Sequence, residues 1–158
     1  MLGGMRAVTG YASVMGVAIA FASLFASALG WMDGSSDRDF STAELFNPEL
    51  YVDGDARPAI AISIWVAVIA FVAAIAFTAW NSTTRDRPPI SVLIASYLVS
   101  GVAVVAPLAV IIGVVGLNNL VGGSVGAGAP MFFVGGASIA FACILSLGAY
   151  RHNEAELS

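Results

Sequence analysis

The stretch from Asp33 to Glu44 spaces its oxygen-bearing side chains as a calcium-binding EF-hand loop spaces its ligands. They occupy positions 1, 3, 5, 7, 9 and 12 of the twelve residues, as Asp33, Ser35, Asp37, Asp39, Ser41 and Glu44. An EF-hand loop binds Ca²⁺ through these positions and ends on a bidentate Glu. The spacing therefore gives a first hypothesis, a cation-binding loop with Asp33, Asp37, Asp39 and Glu44 as its carboxylate ligands.

Two residues weaken this hypothesis and favour a structured acidic cap without a metal. Arg38 occupies the sixth position, where the loop needs Gly for its sharp turn and where a cation is repelled. Pro48 would cut short the helix that should leave the loop. The same stretch reads as a capping box, Ser41 to Glu44, which predicts a short helix through Leu45 and Phe46. An Asp-Gly turn follows within residues 52–55.

The composition indicates the class of protein to which this loop belongs. Of the 158 residues, 59% are hydrophobic and 10% charged, and the mean hydropathy is +0.91. Soluble domains carry about 25% charged residues, so the deficit predicts a membrane protein of one domain. The net charge is −4 and the chain contains no Lys. This balance argues against binding to nucleic acid or to anionic lipid headgroups.

Four uncharged segments are long enough to cross a bilayer, for which about 20 apolar residues are needed. They are Val8–Gly30, Ile60–Trp80, Ile90–Gly116 and Met131–Tyr150. We expect an all-α integral membrane protein, an antiparallel bundle of four transmembrane helices. A short helix and a turn are expected in the first loop outside the membrane.

The arginines predict the orientation of the bundle. Four lie on one side of the predicted membrane and two, Arg38 and Arg57, lie on the other. An excess of basic residues marks the cytoplasmic side, so both termini are expected in the cytoplasm of a multi-pass protein of the cell membrane. The loop from Trp31 to Pro58 is then extracytoplasmic. The alternative reading of residues 1–28 as a cleaved signal peptide leaves this loop on the same side.

Small residues at helical spacing predict which face of each span is buried, because close backbone approach carries helix association in lipid. The four stripes are, in chain order, Ser13, Gly16, Ala20, Ser23, Ser27 and Gly30; Ala59, Ser63, Ala67, Ala70, Ala74 and Thr78; Ser96, Ser100, Ala103 and Pro107; and Gly135, Ser138, Ala142, Ser146 and Ala149. Pro107 removes the hydrogen bond to the Ala103 carbonyl, so a kink is expected there.

The sequence offers no catalytic constellation. No Asp, Glu, Lys, Arg or His lies within any predicted span, although such residues usually mark ion paths and transport sites. The chain has one Cys and one His and no Ser–His–Asp set or phosphate-binding glycine loop. We therefore expect no enzyme activity and no cofactor. Cys143 is expected to be a small buried hydrophobe.

In layout, the chain is similar to claudin-like tetraspan proteins, which also have cytoplasmic termini and a larger first outer loop. The signature of that family is a Trp followed by paired cysteines in this loop. Only Trp31 is present here, so the resemblance is architectural and implies no function.

These observations favour an accessory, structural or assembly component of a membrane. Its neighbours would be membrane lipids and other membrane protein subunits. The loop from Trp31 to Pro58 carries seven acids and two arginines, which suits a basic or cation-bearing partner. The candidate contact residues are Trp31, Asp37, Asp39, Phe40, Phe46, Asp53 and Asp55. The alternatives are an oligomeric small-solute transporter or channel, and a sensor of external cations.

Overall fold

The computed structural model of the chain describes residues 2–25, 32–33, 39–40, 57–83, 88–121 and 124–155. This part of the chain forms four long helices and three two-residue strands. The helices are α1 (Leu2–Phe25), α2 (Arg57–Thr83), α3 (Ile90–Val121) and α4 (Gly128–Ala155). The strands are β1 (Met32–Asp33), β2 (Asp39–Phe40) and β3 (Ser124–Val125).

Three of the helices are long and apolar enough to cross a membrane. The qualifying stretches are Pro58–Asn81, Ile90–Gly116 and Gly128–Leu147, with mean hydropathies of 2.8, 2.7 and 1.9. In α1 the apolar stretch found among the described residues is Val8–Ala20. The helical character of all four predicted spans is thus confirmed. Membrane crossing by the first helix stays a prediction.

Several helix ends differ from those expected from hydropathy. Helix α3 continues to Val121 and α4 begins at Gly128, so the connection expected to begin after Gly116 is short. Helix α4 also continues to Ala155, beyond the predicted end of the fourth span at Tyr150. Hydropathy marks only the apolar part of a helix, whereas backbone hydrogen bonding continues until a residue interrupts it.

Prolines fix the beginnings of α3 and α4. The Pro89 carbonyl accepts hydrogen bonds from the amides of Val92 and Leu93 at 2.9 and 3.2 Å. It therefore closes the first turn of α3. Pro130 lies in the first turn of α4, where its missing N–H costs no helical hydrogen bond.

Helix α4 lies at the centre of the packing. Helices α2 and α3 pack against each other and against α4, whereas α1 packs almost entirely against α4. One close contact between α1 and α4 joins two glycines. A Cβ added at Gly135 would lie 2.9 Å from the Gly16 carbonyl oxygen and 2.9 Å from the Ala20 nitrogen. The α1 and α4 backbones therefore touch at this point.

The small-residue stripes predicted the buried faces correctly for most described residues. In α2, Ala67, Ala70 and Ala74 are buried, but Ala59 is exposed and Ser63 is half-buried, whereas Ile60 beside Ala59 is buried. The stripe therefore missed the buried face in the first turns of α2. All four members of the α3 stripe are buried, as are Ala142 and Ser146 of α4. Phe71 and Phe132 fill the space between α2 and α4, with ring centroids 5.2 Å apart.

Pro107 lies inside a helix that is continuous from Ile90 to Val121, and its ring is fully buried. Because proline has no N–H, the Ala103 carbonyl lacks its usual helical donor. That oxygen lies against Gly136 of α4, where an added Cβ would overlap with it. The expected kink itself stays a prediction.

The three strands form one antiparallel sheet in the order β2-β1-β3. This sheet was not expected from the sequence. It joins the segment that follows α1 to the connection between α3 and α4. The short helix and turn predicted within residues 41–55 lie outside the described residues.

Candidate functional site

The sheet aligns the strand residues in two cross-strand rows of different chemistry. Met32 pairs with Phe40 on one side and with Val125 on the other. Asp33 pairs in the same way with Asp39 and Ser124. One row is therefore apolar and the other is polar. The arrangement brings two acids of the first loop into register with the second connection.

The structure covers only part of the predicted loop site. Asp33, Asp39 and Phe40 lie in the paired strands β1 and β2. The remaining candidates lie outside the described residues: Trp31, Asp37, Glu44, Phe46, Asp53 and Asp55. The described residues contain no group of three or more His, Cys, Asp or Glu side chains that could hold a metal ion. The cation loop and the partner surface both stay predictions.

A second candidate site is a polar cluster buried among three helices, formed by Asn81, Ser96, Ser100, Cys143 and Ser146. Asn81 Nδ2 of α2 donates to Ser146 Oγ of α4 at 3.3 Å. Ser146 Oγ in turn donates to the Cys143 carbonyl oxygen at 2.6 Å. These bonds tie the last turns of α2 to α4.

The bonds of the polar cluster continue into α3. The Cys143 thiol donates to the Ser96 carbonyl oxygen, with the sulfur 3.9 Å away. Ser100 Oγ donates to the same oxygen at 2.7 Å. The relative exposures of Ser96, Ser100, Cys143 and Ser146 are 0%, 2%, 0% and 2%, so the cluster is closed to solvent. Cys143 is buried, as predicted.

Asn81 was not recognised as a functional candidate from the sequence. It lies three residues after Thr78 and therefore shares a helix face with a small residue of the α2 stripe. That spacing could have placed it in the core. Its pairing with Ser146 depends on how α2 packs on α4, which spacing alone does not reveal.

The described residues that are both polar and buried lie towards one end of the bundle. We call this the terminal end, where Asn81 of α2 meets Ser146 of α4 and Ser96 of α3 meets Cys143 of α4. The six described buried polar residues all lie towards it: Thr9, Thr78, Asn81, Ser96, Ser100 and Ser146. At the opposite end, next to the sheet, the fully buried large side chains are apolar. They include Ile60, Ile64, Val110, Val114 and Phe132.

An apolar groove of about 510 Å³ lies on the outer face between α2 and α3. Its lining includes the exposed side chains of Ile62, Tyr97 and Leu98, with Gly101 between them. A Cβ added at Gly101 would meet no atom within 4 Å. Ser63 also borders the groove, and its hydroxyl donates to the Ala59 carbonyl of its own helix at 2.8 Å.

The chain matches no protein-family model and shows no significant similarity to a curated protein or to a solved structure.

Proposed function

We propose that the protein is a non-catalytic, multi-pass component of the cell membrane. It would act as an accessory, structural or assembly subunit that binds its partner through the acidic loop between α1 and α2. In this arrangement four antiparallel spans carry the loop outside the cell, and both termini lie in the cytoplasm.

The order of the interhelical contacts supports the antiparallel arrangement. Gly16 of α1 lies against Ile139, whereas Ala20, one turn later, lies against Gly135, one turn earlier in α4. In the same sense Ser96 meets Cys143, and Ala103 meets Gly136. The lengths and hydropathies of α2, α3 and α4 support membrane insertion. The arginine distribution supports the orientation.

The observation that carries the proposal is the sheet. Within the acidic loop it pairs β1 with β2, and it pairs β1 with β3 of the second connection. A loop that is paired with itself and, through β1, with a second connection loses less conformational freedom when it binds than an untethered one. The pairing places Asp33 beside Asp39 and Ser124 in the sheet register. The loop's net negative charge suits a basic partner surface.

A channel or transporter remains the second candidate, and the packing favours it less. The end of the bundle next to the sheet is filled by Ile60, Ile64, Val110, Val114 and Phe132, all fully buried. The described part of a single chain therefore leaves no polar path across this end, and conduction would need a lumen between several copies. Solute flux in liposomes that contain only this protein would support the channel.

The proposal is tested by chemical cross-linking in native membranes followed by affinity capture. The loop variant combines Asp37→Asn, Asp39→Asn and Asp53→Asn, which removes three negative charges while preserving side-chain size. We expect the wild-type protein to yield a cross-linked partner that this variant loses. Ionic contacts at an exposed surface weaken with salt, so capture should also decrease as the salt concentration is raised.

The control removes three charges from the opposite side of the predicted membrane. It combines Asp86→Asn, Glu154→Gln and Glu156→Gln, and it has the same net charge as the loop variant. We expect it to retain the wild-type partner. Loss of the partner in both variants, or in neither, would contradict recognition through the acidic loop.

A further inference from the structure

The Ser96 hydroxyl differs from the other serine hydroxyls of the polar cluster in its hydrogen bonding. Ser96 has a relative exposure of 0%, and its Oγ has no hydrogen-bond partner within the described structure. Buried hydroxyl groups in native proteins nearly always have a partner, which is another protein group or an ordered water. An unsatisfied one lowers stability. The neighbouring hydroxyls of Ser100 and Ser146 each have a protein acceptor.

The bonding pattern around Ser96 indicates what kind of small molecule the polar cluster can bind. The Ser100 and Ser146 hydroxyls and the Cys143 thiol each donate their hydrogen to a backbone carbonyl. Their hydrogens are thereby used, while each hydroxyl oxygen still has lone pairs that can accept. The Ser96 hydroxyl adds a donor that has no acceptor among the described residues, so the polar cluster has both a spare donor and spare acceptors. A small molecule that can donate would complete it.

We propose that the polar cluster is a binding site for ordered water, held by Ser96 Oγ and the neighbouring serine hydroxyls. A buried water typically makes about three hydrogen bonds to polar groups that lack partners. It can both donate to the spare acceptors and accept from Ser96. The side chains of the polar cluster are uncharged, so no ion is needed for charge balance. This water site is separate from the proposed partner-binding loop. It places ordered water in the core at the terminal end, which we therefore call the hydrated end.

Thermal unfolding of Ser96→Ala tests the site, because the sign of the shift differs between a hydrated and an empty site. If Ser96 holds a water, Ala removes one of its partners and the midpoint should fall by about 2–4 °C. If the hydroxyl is unsatisfied, Ala removes a penalty and the midpoint should stay the same or rise. An unchanged or higher midpoint would overturn the proposal.

Ser63→Ala is the matched control for loss of a serine hydroxyl from a helix. Ser63 donates only to the Ala59 carbonyl of its own helix, and it borders the outer groove. We expect its midpoint to differ little from that of the wild type.

Hydrogen–deuterium exchange at Cys143 provides a second readout. The chain has one cysteine, so infrared spectroscopy records a single S–H band. Water at Ser96 should exchange this thiol in the folded protein within minutes of transfer to D₂O. In Ser96→Val, whose methyl group replaces the hydroxyl and excludes water, exchange should be at least tenfold slower. Equal exchange rates in the two proteins would refute a water at Ser96.

A sodium titration distinguishes water from a monovalent cation. At constant ionic strength, replacing choline with Na⁺ should leave the difference in midpoint between the wild type and Ser96→Ala unchanged. A Na⁺-dependent rise that appears in the wild type and is absent from Ser96→Ala would assign the site to a cation and overturn the proposal.

Discussion

At the scale of single residues, glycines determine how closely the helices approach. Gly136 lies against the Ala103 carbonyl, whose helical donor is absent because residue 107 is proline. Close contact with a Cα hydrogen is one way in which such an oxygen is accommodated at a helix interface. Pro107 and Gly136 are therefore linked through Ala103, although they belong to different helices.

This link predicts that Gly136→Ala is destabilising. The added Cβ would overlap with a backbone oxygen, which cannot move independently of α3, and would lie 2.9 Å from the Phe71 ring. Overpacking of this kind costs about 1–3 kcal/mol. Gly101→Ala is the control within α3, since its Cβ would meet open space. The free energy of unfolding in detergent or bicelles should fall for Gly136→Ala and not for Gly101→Ala. Equal effects would contradict the contact.

The spacing of the small residues predicted many of the residues that are buried in the core. The α3 stripe of Ser96, Ser100, Ala103 and Pro107 was found buried as expected, because small residues at spacings of three and four share a helix face. The bond between Asn81 and Ser146 joins residues 65 positions apart. A single sequence carries no local signal for such a bond, since it depends on the rotation of two helices about their axes.

At the scale of elements, α1 is held by one neighbour. Its Gly16 would place a Cβ 2.7 Å from Ile139 Cγ1 and 2.8 Å from the Gly135 carbonyl oxygen. The α1–α4 contact thus depends on a pair of glycines, whereas α2 and α3 are supported by each other as well as by α4. We expect α1 to be the first helix to separate when the bundle is perturbed.

Gly16→Leu should therefore weaken the attachment of α1. The side chain would push against a backbone oxygen of α4, at a cost of about 1–3 kcal/mol. Gly10→Leu is the control in the same helix, because a Cβ there meets nothing within 4 Å and surface changes usually stay within about 0.5 kcal/mol. The measurement is unfolding by titration with SDS. Equal midpoints for the two variants would show that the glycine contact does not hold α1.

Element types were easier to predict than element ends. Long apolar runs indicate helices, and all four predicted spans lie largely or wholly in helices. The continuation of α3 to Val121 was missed because residues 117–121 are less apolar, although nothing in them stops a helix. The sheet was missed because two-residue strands have no periodicity to detect. Their pairing requires α1 and α3 to end at the same side of the bundle.

At the scale of the whole molecule, the two ends of the bundle differ in chemistry. The terminal end has buried hydroxyl and amide groups from all four helices, and the end next to the sheet has apolar side chains among its described core residues. The acidic loop is attached above the apolar end through β1 and β3. The two ends of the bundle therefore differ in the polarity of their buried side chains. In our account the apolar end closes the bundle beneath the recognition surface, and the hydrated end faces the cytoplasm.

The most direct test of this account is the side of the membrane on which each connection lies. Ser35→Cys and Ser82→Cys would be made separately in a Cys143→Ser background and labelled in intact cells with a membrane-impermeant maleimide. With the acidic loop outside the cell and the α2–α3 connection inside, we expect position 35 to be labelled in intact cells. Position 82 should be labelled only after permeabilisation. Labelling of both positions from the same side would contradict the proposed topology and, with it, an external acidic recognition loop.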